Sequence, residues 1–337
     1  MTPAAHPLIL SNDNRPVRVG VLTNPSALHN DRFPYTHRNL LKHLQSSADA
    51  VVTADASQVD EAVRHLLNTR QTNVLAINGG DGTIHATLNA LVRQYGHEVS
   101  AGLRDWPILL FLNGGTYNMA SRALGTKGHP ARTLERFASR YKDVAVSEVR
   151  TRTLSLLDVQ AFGQPPQVAM VFGSEVVTHA LDLCDGMGAG YRGLTRLFVQ
   201  GAFGIAFKTR FLADHAWRLA GPKRPMEVDE ETLPDALAAV ASTIDLKLVH
   251  GLVWAFRAGA CSTGFPARIV RKGRPADLVR ALPHLLWQLR HPSVLDYSSV
   301  GILRTDGAFT VDGEIHHHDG TVSVRLSPHR FRVVSCR

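Results

Sequence analysis

Residues 74–83 read Val-Leu-Ala-Ile-Asn-Gly-Gly-Asp-Gly-Thr. The apolar run 74–77 is a short buried strand, and it passes without a linker into a turn of three glycines and one carboxylate. Residues 86–95 then carry a helical pattern. A strand that feeds a glycine turn opening a helix is the repeating unit of α/β folds, whose ligands gather at the carboxyl ends of the strands. Glycines let backbone N–H groups approach an anion closely, and a helix N-terminus adds positive potential, so the turn predicts a phosphate site. Its spacing fits neither the dinucleotide-binding GxGxxG nor the GxxxxGK[ST] loop. Asp81 sits inside the turn, where repulsion of a phosphate is costly unless a divalent cation intervenes. An Mg²⁺ that keeps several waters and bridges carboxylate to phosphate is the usual resolution.

The same unit recurs on both sides. Residues 17–22 are a strand candidate followed by Asn24-Pro25-Ser26, a polar helix around 35–45 and a short strand at 50–53. Residues 57–68 form a helix, because Val59, Val63, Leu66 and Leu67 recur on one face. Residues 108–112 make another strand, ending in Asn113-Gly114-Gly115-Thr116, with a helix to 124. This spacing predicts a mostly parallel sheet covered on both faces. Beyond 144 the rhythm changes to short strands, at 144–149, 154–160, 168–172, 252–257, 300–303, 309–311 and 322–326. Helices interrupt them at 176–183, 194–219 and 278–289. The expected organisation is a loose arm over 1–16, an α/β domain over 17–143, and a β-rich antiparallel, sandwich-like domain over 144–337 whose last strand returns to the first domain.

The chain has 337 residues, 44% hydrophobic and 20% charged, which excludes collagen, coiled coil, disorder and small disulfide scaffolds. Its formal charge is +8, so a negatively charged partner is expected. Cys184, Cys261 and Cys336 are far apart with no CxxC pair, pointing away from a disulfide framework or zinc site and toward a reducing cytoplasm. The N-terminus lacks the pattern of a secretory signal, and the longest apolar run, 197–207, is far short of the roughly 18 residues a spanning helix needs.

Asn24-Pro25, Thr53, the turn Gly79-Gly80-Asp81-Gly82-Thr83, then Gly115-Thr116-Tyr117-Asn118 and a late Asp312-Gly313-Glu314 together resemble the diacylglycerol kinase catalytic family. That family includes bacterial lipid kinases, sphingosine kinases and ceramide kinases, and its fold is similar to that of the NAD kinases. The resemblance implies ATP and Mg²⁺ as cofactors. It implies that Gly79, Gly80, Asp81, Gly82, Thr83, Gly115, Thr116 and Asn118 hold the ATP phosphates and metal, with Asp81 the metal ligand. Thr53 would touch the nucleotide and Asn24 would order the first turn. The catalytic residues so implied are Asp81, Asp312 and Glu314, with Asp312 as the base for a lipid hydroxyl and Glu314 supporting the metal or that base. The nucleotide is expected in the cleft between the domains. On its own, Asp-Gly-Glu is a good turn tripeptide that reads as a solvated hairpin.

Four positions depart from the family pattern. Met119 stands where GTxND has its aspartate, and His85-Ala86 replaces the usual Asn and Glu. The first turn reads Asn-Pro-Ser-Ala-Leu, and the region 265–271 lacks the Asp-Gly-x-Leu-Asp of a structural magnesium site. His316-His317-His318-Asp319 reads as a solvated turn, since consecutive strand side chains alternate faces and cannot share one ion. The helix 194–219, with Arg192, Arg196, Lys208 and Arg210 at its flanks, is either core or a lipid-facing element. Basic residues 222–224, Arg268, Arg271, Lys272 and Arg274 suit a membrane surface better than nucleic acid, lacking interleaved aromatics.

The expectation is an ATP-dependent lipid kinase acting on diacylglycerol or a ceramide or sphingoid lipid, cytoplasmic and peripherally associated with the inner face of an anionic membrane. No nucleic acid partner is expected; a homodimer is compatible with the reading. The alternatives are a soluble kinase of the NAD kinase type and a degenerate lipid- or nucleotide-binding protein.

Overall fold

Val19–Thr23 (β1), Asp49–Val52 (β2), Val74–Gly79 (β3) and Ile108–Asn113 (β4) are parallel neighbours in the order β2-β1-β3-β4. The computed structural model describes residues 14–32, 40, 49–53, 55–115, 118–126, 128–174, 177–179, 181, 225–248, 253–256, 263–271 and 292–335. The residues of β1, β3 and nearly all of β4 are buried, as strands covered on two faces must be. One face meets the helix Pro130–Arg140, whose Ala131, Leu134 and Phe137, with Tyr141 at its C-cap, pack with Val21, Ala76 and Leu110. On the helices Val59–Arg64 and Asp81–Ser100, Val63, Ile84 and Leu88 are fully buried. These two helices are tied by Asp60, whose carboxylate accepts from Arg93 at 2.6 Å and Gln94 at 2.7 Å.

The chain divides into two units, Met1–Leu154 with His329–Arg337, and Ser155–Pro328. Two strands cross the division: Thr151–Ala161 (β5) and, last in the chain, Thr321–Val334. In the first unit the end of that last strand runs parallel to β4, Val333 opposite Leu109.

The second unit is antiparallel. After β5 come Gln167–Ala169 (β6), Val171–Ser174 (β7), Met226–Val228 (β8), Glu231–Leu233 (β9), Ala236–Ser242 (β10), Leu246–Leu248 (β11) and Val253–Phe256 (β12). Phe265–Arg271 (β13), Val294–Val300 (β14), Ile302–Asp306 (β15), Phe309–Val311 (β16), Glu314–His316 (β17) and Thr321–Val334 (β18) complete it. One sheet has the order β14-β13-β10-β7-β16-β17; β5, β18, β15, β8 and β9 belong to the other. Alternate residues from both, among them Phe172, Phe265, Phe309, Leu303, Val322 and Val324, form one core, as in a sandwich.

Several sequence expectations need correction. Residues 144–149 are not a strand: Val146–Glu148 is a 3-10 turn, and Ala145 makes a single bridge to Pro16. Proline has no N–H with which to continue a ladder. The run 168–172 is two strands broken at Met170. The helix after the glycine turn begins at Asp81, five residues before the apolar pattern, because Gly80 is its extended N-cap (φ −86°, ψ −174°). The helix Pro130–Arg140 has no counterpart in the sequence reading, although Pro130 at its first position and the side chain of His129, which accepts from Ala131 N–H, are ordinary start signals. The expected helices 35–45, 194–219 and 278–289 lie largely or wholly outside the described residues. Among the described residues, no helix is long and apolar enough to cross a membrane.

Phe309 is fully buried and stacks on Phe172 at 6.1 Å. Phe309→Ala is expected to lower the unfolding free energy of the second unit by about 3–5 kcal/mol, measured by urea denaturation.

Candidate active site

In the first unit the expected phosphate-binding residues converge. The carboxyl ends of β3 and β4 are adjacent, Gly79 opposite Asn113, so the turns that leave them run side by side. They touch through backbone: a methyl on Gly115 would overlap the Cα of Gly80, and one on Gly114 would lie 2.7 Å from both Gly79 N and Asn78 Oδ1. A methyl on Gly79 would overlap the side chain of Thr83. Glycine is required here for close approach, not for unusual φ.

Asp81, at the first position of its helix, crosses to the second turn. Its Oδ2 accepts from Met119 N–H and its Oδ1 from Ala120 N–H, both at 3.0 Å. Residues Met119–Ala123 form a helix, so Asp81 satisfies two of its N-terminal donors from a distant segment. Asn118 holds the turn from the other side. It stands in the left-handed region (φ 48°), its Oδ1 accepts from Gly115 N–H at 2.9 Å, and its Nδ2 donates to Gly115 O at 2.8 Å. Asparagine is among the few side chains that tolerate that backbone. Thr116 lies outside the described residues.

The first turn joins the same cluster. Asn24 Nδ2 donates to Thr83 Oγ1 at 3.0 Å, Asn24 N–H donates to Asn78 O, and Asn24 Oδ1 accepts from Ser26 N–H. Thr53 is 2% exposed, with its N–H donating to Thr23 O at 2.9 Å. Gly82 lies in the first helical turn. Asn30, which the sequence reading did not single out, is buried and donates from Nδ2 to Asn24 O at 2.7 Å and Asn78 O at 3.2 Å. A lone buried asparagine in a short polar helix leaves no periodic signal.

Glycine backbone beside the N-terminus of a 20-residue helix fits phosphate. The side chain of Asn78 and the hydroxyl of Thr23 are fully buried without a hydrogen-bond partner, the mark of a site whose polar groups await a ligand or water. A carboxylate has about four lone-pair sites, so Asp81 can hold its two N–H donors and still meet a metal. Residue 119 serves Asp81 through its main chain, so methionine there preserves the contact.

Asp312 and Glu314 belong to the second unit. Asp312 and Gly313 link β16 to β17 with positive φ of 51° and 95°, the two-residue hairpin turn that Asp-Gly favours. The turn is not solvated as a bare tripeptide suggests: Asp312 is 5% exposed. Its Oδ1 accepts from Met170 N–H at 2.9 Å and Val171 N–H at 2.8 Å, and its own N–H donates to Val171 O. These bonds fall at the break between β6 and β7. Glu314 is exposed at the start of β17.

The histidine run is also not a solvated turn. His316 stacks parallel on Phe309 at 4.8 Å and His318 meets the same ring edge-on at 6.2 Å, while His317 is exposed.

Residues 18–149 match the model of the diacylglycerol kinase catalytic domain. Solved structures from Bacillus anthracis str. Sterne share the fold. One described as a "putative diacylglycerol kinase" is 14% identical with a TM-score of 0.63, and another described as a diacylglycerol kinase is 13% identical with 0.58. Each alignment covers 94% of this chain and 96% of the other. A comparison with curated proteins finds no match.

Asp81→Ala strips an acceptor from two helix N-terminal donors and is expected to cost about 0.5–2 kcal/mol of stability. Gly115→Ala forces backbone apart and is expected to cost about 1–3 kcal/mol. Thermal unfolding of each purified variant measures both.

Proposed function

We propose that this chain is an ATP-dependent lipid kinase, transferring the γ-phosphoryl group of ATP to a hydroxyl of a membrane lipid, diacylglycerol or a ceramide or sphingoid lipid. The observation that carries this reading is the pair of glycine turns locked together by Asp81 within the stretch that matches the diacylglycerol kinase catalytic domain.

Phosphoryl transfer passes through a loose transition state, so the protein mainly positions the donor, offsets spreading charge and accepts a proton. The first N–H groups of the helix Asp81–Ser100 and the backbone of Gly80 would receive the phosphate oxygens, with Gly79 and Gly115 allowing the close approach of the two turns. Asp81 would hold Mg²⁺ through its remaining lone pairs. A bound Mg²⁺ supplies neutralisation of charge on the transferring group. Asp312 would take the proton of the lipid hydroxyl as its oxygen bonds to the γ-phosphorus and the bond to the ADP oxygen breaks. The proton then passes to solvent, and Glu314, exposed beside the turn, would assist. Such a substrate places the enzyme on a membrane surface, associated peripherally.

The test is incubation of the purified protein with labelled ATP and Mg²⁺ against diacylglycerol, ceramide and sphingosine in mixed micelles, and against NAD. Label in one of the lipids is expected. Asp312→Asn is expected to lower kcat by about 10²–10⁴-fold, the usual worth of a general base. Label in NAD alone, or in none, overturns the reading; undiminished turnover by the variant removes Asp312 as the base.

A further inference from the structure

Several of the described arginines pair with carboxylates within the fold. Arg93 pairs with Asp60 at 2.6 Å, Arg104 with Glu98 at 3.6 Å and Arg304 with Glu227 at 2.9 Å. Arg268 and Arg271, which the sequence offers for membrane contact, pair with Asp296 and Asp235, each at 2.6 Å. Lys272, Arg274, residues 222–224 and the helix 194–219 lie outside the described residues.

One helix stands apart. On Pro130–Arg140 the apolar residues face the sheet, while Arg132, Arg136 and Arg140 recur every four residues along the exposed side and Lys142 follows them. Glu135 is the acid in this stretch. Like charges four apart on a helix repel and destabilise it, so this spacing carries a cost that an external anion removes. The three arginines span about 12 Å at the helical rise.

We infer that this arginine face is the surface by which the first unit docks on an anionic bilayer. The inference rests on the lipid kinase reading, which requires the protein to meet a membrane. Guanidinium groups bind phosphate in bidentate fashion, and a straight row of them suits a plane of phospholipid headgroups. Single-stranded nucleic acid would also seek aromatic platforms, but Phe137 and Tyr141 of this segment are 5% and 7% exposed. Because the apolar face is already spent on the core, the contact is electrostatic and does not insert. It therefore weakens as salt shortens the screening length from about 10 Å at 0.1 M to about 3 Å at 1 M.

The test is co-sedimentation of the full chain with phosphatidylglycerol–phosphatidylcholine vesicles and with phosphatidylcholine alone, together with kinase activity in detergent micelles. Wild type is expected on the anionic vesicles only, released by 1 M NaCl. The triple variant Arg132→Gln, Arg136→Gln, Arg140→Gln is expected to bind about 100-fold more weakly, about fivefold per arginine. Its micelle activity and thermal unfolding should stay near wild type. Lysine at all three positions should retain binding. A control with the same charge change, Arg64→Gln, Arg152→Gln, Arg325→Gln, should lose far less. Equal losses in the two glutamine triples, sedimentation unchanged by the first, or absence of wild type from anionic vesicles overturns the docking face. Tighter, arginine-dependent capture of single-stranded RNA than of vesicles overturns it in favour of nucleic acid. Loss of micelle activity in the wild type would instead count against the lipid kinase reading, which separates the two failures. Should the triple variant not fold, the single Arg136→Gln, about fivefold weaker, decides the matter.

Discussion

Contact between the backbones of two turns is the constraint on which the site of the first unit depends. Neighbouring strands in a sheet stand about 4.8 Å apart, and β3 and β4 end level with each other. Chains leaving such ends must diverge at once or pass at van der Waals distance. Gly80 and Gly115 permit the second, leaving no room for a side chain at 115 and filling the gap with peptide groups. Backbone rather than side chain then lines the meeting of the turns, which is how the proposed phosphate site can do with almost no lysine or arginine in its turns.

The carboxylate within that site is accommodated by the same geometry. A negative group beside a phosphate would be costly in isolation. Asp81 instead receives two N–H donors from the start of a second helix, and charge-assisted hydrogen bonds of this kind are roughly twice as strong as neutral ones. The same device recurs in the second unit. Asp312 accepts the successive N–H groups of Met170 and Val171, and Asp229, also at positive φ, accepts those of Gly301 and Ile302. Each is an aspartate at the edge of an element that fixes a segment remote in sequence. Two of the three are the residues assigned to chemistry, so positioning of the carboxylate and stability of the fold are supplied by the same bonds.

Legibility in the sequence followed how local the cause was. The parallel strands were readable because burial on both faces demands unbroken apolar runs, and the glycine turns because their composition has few other uses. The start of the helix at Asp81 was not, since Gly82 and Asp81 are poor interior helix residues and the apolar pattern begins only later. The break at Met170 was hidden because Asp312, which accepts its N–H, lies far along the chain. The histidine run was misread as solvent-facing because Phe309, which His316 and His318 cover, is brought to it by hairpin pairing.

The sequence by itself determined the α/β character of the first unit, the β-rich character of the second, the family likeness and the identity of the candidate carboxylates, because each is written in local composition, period or spacing. Tertiary structure alone decided that Asp81 clamps the second turn, that Asn30 ties the first turn to the end of β3, that Asp312 is buried, and which arginines are neutralised by carboxylates elsewhere in the fold. Most of those facts depend on pairs of groups separated by tens of residues. No local pattern encodes which distant N–H or carboxylate will arrive beside a given side chain.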